Sequence, residues 1–153
     1  MKVHRISFHG GLLERGFWLY AWLLKNGGER VVYVGRTGDS SSQFAASPFS
    51  RLSQHLDVRS SATANMLLRQ VRNLGWDPLV CEYELVAFGP IFPEQASLAE
   101  HRVKRDVIAP LETALASLFR EQGFTVVGSH GRQRDTDPAL FKQVERAFHK
   151  VFG

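Results

Sequence analysis

The chain has 153 residues, of which 44% are hydrophobic and 22% are charged. These values are typical of a globular protein and exclude a chain that is disordered throughout. The length is sufficient for one domain with a substantial core and short for two, so we expect a single domain over residues 1–153. The net charge of +4 is compatible with a nucleic-acid partner.

Neither a membrane span nor a secretory signal is expected. The longest apolar run, residues 17–24, is too short to cross a bilayer, and the first residues lead into no long apolar segment. Cys81 is the only cysteine, which excludes an internal disulfide and a cysteine-based zinc site. We therefore expect a cytoplasmic protein with no membrane partner.

The first strong structural signal is a β-hairpin. Residues 2–9 alternate only loosely and could form an edge strand, whereas the apolar runs 17–24 and 30–35 flank Asn26-Gly27, a dipeptide typical of type I′ turns. With these two residues in the turn, Tyr20 falls directly opposite Tyr33, and their phenols share one face. Alternation places Leu19, Ala21, Leu23, Val32 and Val34 on one face, and Trp18, Tyr20, Trp22 and Tyr33 on the other.

A loop and two helices follow the hairpin. Residues 38–47 are rich in serine, alanine and glycine and predict a flexible loop. Ser47-Pro48 then opens a helix, with a serine N-cap and a proline at the first helical position. Arg51 and His55 share a face of this helix that is more exposed than its apolar stripe. A second helix is predicted over residues 62–74, ending at Gly75.

The rest of the chain predicts two strands and two helices. A third strand covers residues 79–88, with Pro90 and Pro93 in a turn after it. A helix from residue 94 is broken or kinked at Pro110 and then continues to Gly123. Its apolar stripe before the proline is Ala96, Ala99, Val103 and Val107. A short strand at 124–127, a polar loop at 129–136 and a helix from 138 onward complete the chain. The fold class is therefore α+β, a small central antiparallel sheet flanked by helices with an extra C-terminal helix.

Five polar side chains stand in an order that suggests chemistry: Tyr20, Tyr33, Arg51, His55 and Glu100. With them the chain resembles the GIY-YIG nuclease superfamily. Trp18-Leu19-Tyr20 stands where that family has its first tripeptide, and Tyr33-Val34-Gly35 matches the second. Arg51 with His55 resembles the helix-borne arginine and histidine of the family, and Glu100 resembles its metal-binding glutamate. The resemblance covers about residues 17–111 and leaves 112–153 as a C-terminal extension.

Phosphodiester hydrolysis suits these residue types. It needs an activated water and positive charge for the negative charge that develops on the phosphate. Arg51 offers fixed charge and paired donors, and the Glu100 carboxylate is a hard oxygen ligand suited to Mg²⁺. A tyrosine ionises more easily beside a metal and an arginine. The resemblance implies Mg²⁺ or Mn²⁺ as cofactor and a tyrosine as general base, with Tyr20 as the candidate, Tyr33 positioning it and His55 assisting.

The sequence departs from the family pattern at three places. The first tripeptide lacks its glycine and isoleucine but keeps its tyrosine. The loop at residues 38–47 is longer than in compact members, and we expect it to contact the substrate or cover the site. Glu112 stands in the approximate place of an asparagine that many members carry, which favours a different way of holding phosphate or metal.

The expected partner is DNA, held through its phosphate backbone. Phosphate contacts position a nucleic acid without reading its sequence. The candidate contact residues are Arg36, Thr37, Arg59, Arg69, Arg72, Arg132 and Arg134. No glycine-rich phosphate loop followed by lysine and serine or threonine is present, so no nucleotide cofactor is expected.

The leading hypothesis is a metal-dependent endonuclease that hydrolyses DNA phosphodiester bonds. Singly, Arg51, His55 and Glu100 could be ordinary helix residues, and only the ordered set indicates a nuclease. A nucleic-acid-binding module of the same fold without activity is favoured by Glu112 and opposed by the retention of Arg51 with Glu100. A third alternative is a protein-interaction domain with an aromatic face formed by Trp18, Trp22 and the last helix.

Overall fold

The computed structural model describes residues 1–152. Four strands form one sheet in the order β3-β1-β2-β4. β1 pairs antiparallel with β2 and β3, whereas β4 runs parallel to β2. The α+β class is confirmed, and β4 makes the sheet mixed. After a 3-10 helix at Gly10–Leu13, the elements are β1 (Gly16–Asn26), β2 (Glu29–Arg36), α1 (Pro48–His55), α2 (Met66–Asn73), β3 (Glu82–Pro93), α3 (Leu98–Glu121), β4 (Thr125–Val127) and α4 (Pro138–Phe152).

The hairpin turn lies one residue further along the chain than the sequence predicts. Asn26 pairs with Glu29, so the two turn residues are Gly27 and Gly28. Gly27 has a φ of +58°, while Asn26 remains within β1. A turn that needs positive φ at its first central residue favours glycine there, because glycine has no Cβ to clash.

The shifted turn changes the partner of each tyrosine. Tyr33 lies opposite Trp22, and Tyr20 lies opposite Gly35, so the predicted pairing of Tyr20 with Tyr33 is wrong. The register has moved by two residues, and side chains two apart on a strand point the same way. Tyr20 and Tyr33 therefore remain on one face of the sheet, as diagonal rather than direct neighbours.

Both faces of the sheet are covered. The aliphatic face packs against α3 and α4, with Leu111, Leu115 and Phe148 among the buried residues of that cluster. The aromatic face packs against α2 and residues of α1. The predicted division of the hairpin into an aliphatic and an aromatic face is confirmed. Because Trp18 and Trp22 are only 5% and 2% exposed, they do not form the exposed surface that the protein-interaction alternative requires.

The elements around α1 and α2 differ from prediction in their bounds. α1 begins where predicted, and the Ser47 hydroxyl accepts a hydrogen bond from the Ser50 N–H. α2 is shorter than predicted and is followed by Gly75, whose φ is +76°. Residues 2–9 form no strand. All of them are exposed and none pairs with the sheet, so the predicted edge strand is wrong.

Three prolines lie within elements rather than between them. Pro90 and Pro93 belong to β3, an edge strand whose pairing with β1 shifts between residues 88 and 92. Edge strands tolerate proline because it need not donate to a neighbouring strand. The predicted turn is therefore wrong.

Pro110 lies inside α3, which runs for 24 residues without interruption. Ile108 and Leu111 on either side are fully buried, and their burial outweighs the hydrogen bond that proline cannot form. α3 is therefore not broken at Pro110.

The buried side of α3 also differs from the predicted stripe. Val103 is 61% exposed, while His101, Ile108, Leu111 and Leu115 are fully buried. β4 and α4 lie close to their predicted positions, with Asp137 accepting hydrogen bonds from the first N–H groups of α4. Within residues 1–152, no helix combines the length and the apolar character needed to cross a membrane.

Candidate active site

A hydrogen bond between Tyr20 and His55 forms the centre of the candidate site. The Tyr20 hydroxyl and His55 Nε2 are 2.8 Å apart, and both side chains are buried. Tyr33 lies against the same imidazole, with ring centroids 5.4 Å apart, but its hydroxyl is not the one that His55 bonds. The expectation that His55 sits on an exposed helix face is wrong, because α1 turns it toward the sheet. We call Tyr20, Tyr33 and His55 the buried group.

Two local features position the buried group. The Ser47 N-cap fixes the start of α1, and the helix ends at His55, which faces the sheet. Gly35 lies opposite Tyr20, and a Cβ atom at Gly35 would be 2.5 Å from the Tyr20 ring. Glycine is therefore the residue that lets the Tyr20 ring pass over β2 toward His55.

Burial keeps the buried group uncharged near neutral pH. Burial, with a smaller effect of the Arg51 charge, lowers the pKa of His55 to about 4. Burial also raises the pKa of Tyr33 to about 12 and raises the pKa of Tyr20. The Arg51 charge lowers the pKa of both tyrosines, as expected, but burial outweighs it. Both tyrosines are therefore phenols, and His55 is a neutral imidazole.

Arg51 supplies positive charge to the buried group. Its guanidinium donates to the Asp39 carboxylate, in the loop at residues 38–47, and to Gln54 Oε1 at 3.2 Å. Its buried Nε has no partner within the described residues. The Arg51 charge affects the pKa of all three members of the buried group. The loop therefore reaches the site through Asp39.

Glu112 is the carboxylate that acts on the tyrosines. It comes from the middle of α3 and accepts a hydrogen bond from Arg36 Nη1 at 2.7 Å. Its charge raises the pKa of both Tyr20 and Tyr33. Burial raises the pKa of Glu112 itself, and the charges of Arg36 and Arg51 oppose that shift. Sequence reasoning singled out Glu112 only as a departure from the family pattern and did not assign it to the site.

Glu100 is not part of this arrangement. It lies exposed in the first turn of α3, where its carboxylate accepts a hydrogen bond from the Ser97 hydroxyl at 2.8 Å. Twelve residues of continuous helix separate it from Glu112, about 18 Å along the axis and roughly 120° around it. The hydrogen bonds of Glu100 are with Ser97 and do not join it to the tyrosines, so its place in the site stays a prediction. Ser97 is the N-cap of α3, since its hydroxyl accepts from the Glu100 N–H and donates to the Glu100 carboxylate.

A cleft of about 410 Å³ adjoins the Arg36–Glu112 pair. His130 holds one wall against the sheet, because its Nε2 lies 3.1 Å from the carbonyl oxygen of Val34. The arginines that line it come from β2, α3 and the loop at residues 129–136, and they are Arg36, Arg105, Arg132 and Arg134. We call this the arginine cleft. Three of these four residues were predicted as nucleic-acid contacts.

The remaining predicted contacts lie elsewhere. Arg59, Arg69 and Arg72 belong to the exposed region around α2 and do not line the arginine cleft. Arg59 is already paired with Asp57. Thr37 is fully buried, and its hydroxyl accepts from the Trp18 N–H and donates to the Gly16 carbonyl. Thr37 therefore holds β1 in place, and its prediction as a nucleic-acid contact is wrong.

The carboxylate set at the site allows one protein ligand for a divalent cation. Among residues 1–152 there is no group of three or more histidine, cysteine, aspartate or glutamate side chains that could hold a metal. Mg²⁺ is commonly held by one or two carboxylates together with waters and substrate phosphate. Arg36 bonds Oε2 of Glu112, which leaves Oε1 for a cation. Glu112 therefore fits Mg²⁺ or Mn²⁺ with substrate present, whereas Glu100 is remote from the buried group.

Comparisons with protein-family models, curated proteins and solved structures found no match to this chain. The geometry of the site is therefore the basis for a functional class. That geometry combines a neutral tyrosine–histidine pair with Arg51 and with Glu112. Of these residues, Glu112 also lines the arginine cleft.

Proposed function

We propose that this protein is a cytoplasmic, metal-dependent endonuclease of the GIY-YIG type that hydrolyses DNA phosphodiester bonds. The observation that carries the proposal is the hydrogen bond between Tyr20 and His55, beside an arginine and a carboxylate that act on the same phenols. A general acid–base pair next to a cation is the minimum that phosphodiester hydrolysis requires.

Arg51 binds the phosphate at the reacting position. Its buried Nε lacks a partner, and its other donors reach Asp39 and Gln54, which substrate phosphate can replace. A guanidinium makes paired hydrogen bonds with phosphate oxygens and stabilises the charge that develops on them. When Arg51 turns to the substrate it releases Asp39, so the loop at residues 38–47 moves with substrate binding.

Tyr20 and His55 move the proton. A water that gives its proton to the Tyr20 oxygen becomes the nucleophile, and Tyr20 passes its own proton to His55 Nε2. His55 accepts it as a neutral imidazole, the form that burial favours, although the lowered pKa of about 4 makes that imidazole a weak base. Tyr33, half-buried beside the same imidazole, orients the water. The raised pKa of both phenols favours this relay over a preformed phenolate.

Glu112 would hold the divalent cation together with substrate phosphate. Bound Mg²⁺ or Mn²⁺ supplies positive charge to the phosphate and the leaving oxygen. Arg36 keeps the Glu112 side chain turned toward the site through its 2.7 Å contact with Oε2. The proposal thus moves the metal ligand from Glu100 to Glu112.

The test is cleavage of plasmid, branched and single-stranded DNA with Mg²⁺ or Mn²⁺. Arg51→Ala should lower the rate by about 10²–10³-fold, the usual cost of removing one donor from a developing oxyanion. Arg59→Ala is the matched control, because Arg59 is exposed and paired only with Asp57. Equal cleavage by the wild-type protein, Arg51→Ala and Arg59→Ala would indicate a contaminating nuclease and reject the proposal.

The position of the metal ligand has a separate test. Glu112→Gln should weaken Mn²⁺ binding in the presence of oligonucleotide, measured by electron paramagnetic resonance, by at least about tenfold. Glu100→Gln should leave it unchanged, because the Glu100 carboxylate bonds only the Ser97 hydroxyl at the start of α3. The reverse result would return the metal ligand to Glu100 and show that α3 rearranges when it binds substrate.

A nucleic-acid-binding module without activity is the second candidate. The observation that favours it is the Arg36–Glu112 ion pair, which occupies one oxygen of the carboxylate that acts on the tyrosines. This candidate predicts binding that weakens with salt and no cleavage with either metal. Cleavage that depends on Arg51 would exclude it.

A further inference from the structure

The arginine cleft has positive charge that the protein itself leaves unpaired. Arg132 and Arg134 are exposed, and neither forms an ion pair within residues 1–152. The two acids that line the cleft are already engaged, Asp106 with Arg105 and Glu112 with Arg36. The cleft therefore presents two free guanidinium groups on one wall.

Arg36 adds a buried donor at the inner end of the cleft. Its Nε is shielded from solvent and has no partner within the described residues, although Nη1 is bonded to Glu112. A buried donor without a partner is costly unless a ligand supplies an acceptor. Phosphate suits it, because guanidinium donors match phosphate oxygens in pairs.

The position of Arg36 links the cleft to the candidate active site. Arg36 lines the cleft and holds Glu112, and the Glu112 charge acts on Tyr20 and Tyr33. The Arg51 charge lowers the pKa of Glu112, which lines the cleft, so a reacting phosphate at Arg51 and a phosphate in the cleft would be neighbours. The volume of about 410 Å³ is within the range of sites that hold a small organic ligand, and so exceeds what one phosphate needs.

We propose that the arginine cleft binds a second phosphate of the substrate strand, next to the reacting one, and so fixes how the strand lies across the site. The proposal rests on the proposed nuclease function for the identity of the reacting phosphate. The shared chemistry is a phosphate group, which a nucleic-acid strand or a free phosphate can supply. Arg132 and Arg134 bind it from the loop, and Arg36 binds it from β2.

The test measures binding with cleavage switched off. A labelled single-stranded oligonucleotide is titrated with protein in EDTA, and anisotropy gives the affinity from 50 to 200 mM salt. Arg132→Ala/Arg134→Ala should reduce the slope of log K against log salt by about 0.7, because the two arginines bind one phosphate and each phosphate neutralised on a single strand contributes about 0.7 to the slope. The matched control is Lys142→Ala/Arg146→Ala, which removes two charges from exposed positions on α4 outside the cleft.

The outcomes distinguish a failure of the cleft proposal from a failure of the proposed nuclease function. The proposal is overturned if the two double variants change the salt slope equally, since net charge alone would then explain binding. A salt slope that changes only for Arg132→Ala/Arg134→Ala supports the cleft even in a protein that cleaves nothing. Cleavage that requires Arg51, with the salt slope of Arg132→Ala/Arg134→Ala unchanged, supports the nuclease and rejects the cleft.

A competition experiment identifies the source of the phosphate. Inorganic phosphate is added to the same titration at constant ionic strength, with sodium chloride as the control. Weak competition, needing millimolar phosphate, supports the strand as the ligand because a single phosphate makes only part of the contacts. Displacement of the oligonucleotide at micromolar phosphate would overturn the assignment to a strand and identify a free phosphate site.

Discussion

The buried group and the arginine cleft are neighbours with opposite physical properties. In the buried group, Tyr20 and His55 are almost fully enclosed and neutral. In the arginine cleft, Arg132 and Arg134 are exposed and fully charged. The Arg36–Glu112 ion pair lies between the two regions. One small site therefore contains a region controlled by desolvation and a region controlled by solvent and salt.

The two regions should therefore respond to different variables. Burial shifts the pKa values of the buried group far from their usual range, so its properties should depend on pH. Exposed arginines keep their charge at all accessible pH values, and salt screens them. We expect changes in the buried group to alter rate and stability, and changes in the cleft to alter binding and its salt dependence.

The largest expected effect comes from removing the Tyr20 hydroxyl. Tyr20→Phe should lower the cleavage rate by about 10²–10⁴-fold, because the proton relay to His55 is abolished. It should also lower the free energy of unfolding by about 1–3 kcal/mol, because His55 Nε2 is left buried without a partner. Single-turnover cleavage and urea unfolding measure the two effects.

Tyr83→Phe is the matched control for Tyr20→Phe. The Tyr83 hydroxyl donates to the Pro78 carbonyl at 2.9 Å, so this change also removes one hydrogen bond. It should affect stability and leave the rate of cleavage unchanged. If Tyr20→Phe and Tyr83→Phe cleave equally well, the buried group has a structural role and takes no part in catalysis.

The second prediction concerns the pH dependence of stability. Arg51 and both tyrosines face His55, and burial is the main cause that lowers its pKa to about 4. In the unfolded chain His55 takes up a proton near pH 6.5, whereas the folded protein takes it up only near pH 4. Stability should therefore fall as the pH drops from about 6.5 to 4 and be unaffected by His55 above pH 7.

Comparison with His55→Gln isolates this contribution from other titrating groups. Between pH 7.5 and 4.5 the protein should lose about 2–3 kcal/mol more unfolding free energy than the variant does. Urea unfolding at the two pH values measures the difference. Equal losses in both proteins would mean that His55 is solvated, and that the buried group is not the desolvated region described above.

Local patterns in the sequence were sufficient for much of the fold. The alternation in residues 17–24 predicted which hairpin residues share a face, because the side-chain period of a strand is fixed. Ser47-Pro48 predicted the start of α1, because an N-cap hydroxyl and a proline satisfy the first turn of a helix. These signals placed Tyr20, Tyr33, Arg51 and His55 on the correct elements.

The errors came from competition between local signals and packing. Asn26-Gly27 and Gly27-Gly28 are both good turns, and the sequence does not show which register packs better. Pro110 looked like a helix break until its neighbours Ile108 and Leu111 proved to be buried. Because α3 continues through it, Glu112 rather than Glu100 acts on the tyrosines. Which of these two carboxylates acts on the tyrosines depends on the direction of α3, which short motifs do not encode.

The last prediction compares the effect on stability of replacing a glycine in each region. Gly35 belongs to the surroundings of the buried group, and a Cβ atom there would lie 2.5 Å from the Tyr20 ring. Gly131 lines the arginine cleft, and a Cβ atom there would meet only Thr113 Oγ1 at 4.0 Å. Gly35→Ala should lower the free energy of unfolding by about 1–3 kcal/mol, because the enclosed ring has little room to move.

Gly131→Ala should change the free energy of unfolding by no more than about 0.5 kcal/mol, as for other exposed positions. Urea unfolding of the two variants measures the contrast. Gly35→Ala should also displace the Tyr20 hydroxyl from His55, so it should slow cleavage, though by less than Tyr20→Phe because the hydroxyl is retained, while Gly131→Ala cleaves normally. Equal stability of the two variants would mean that Tyr20 does not cross β2 at Gly35, and the register that joins Tyr20 to His55 would have to be abandoned.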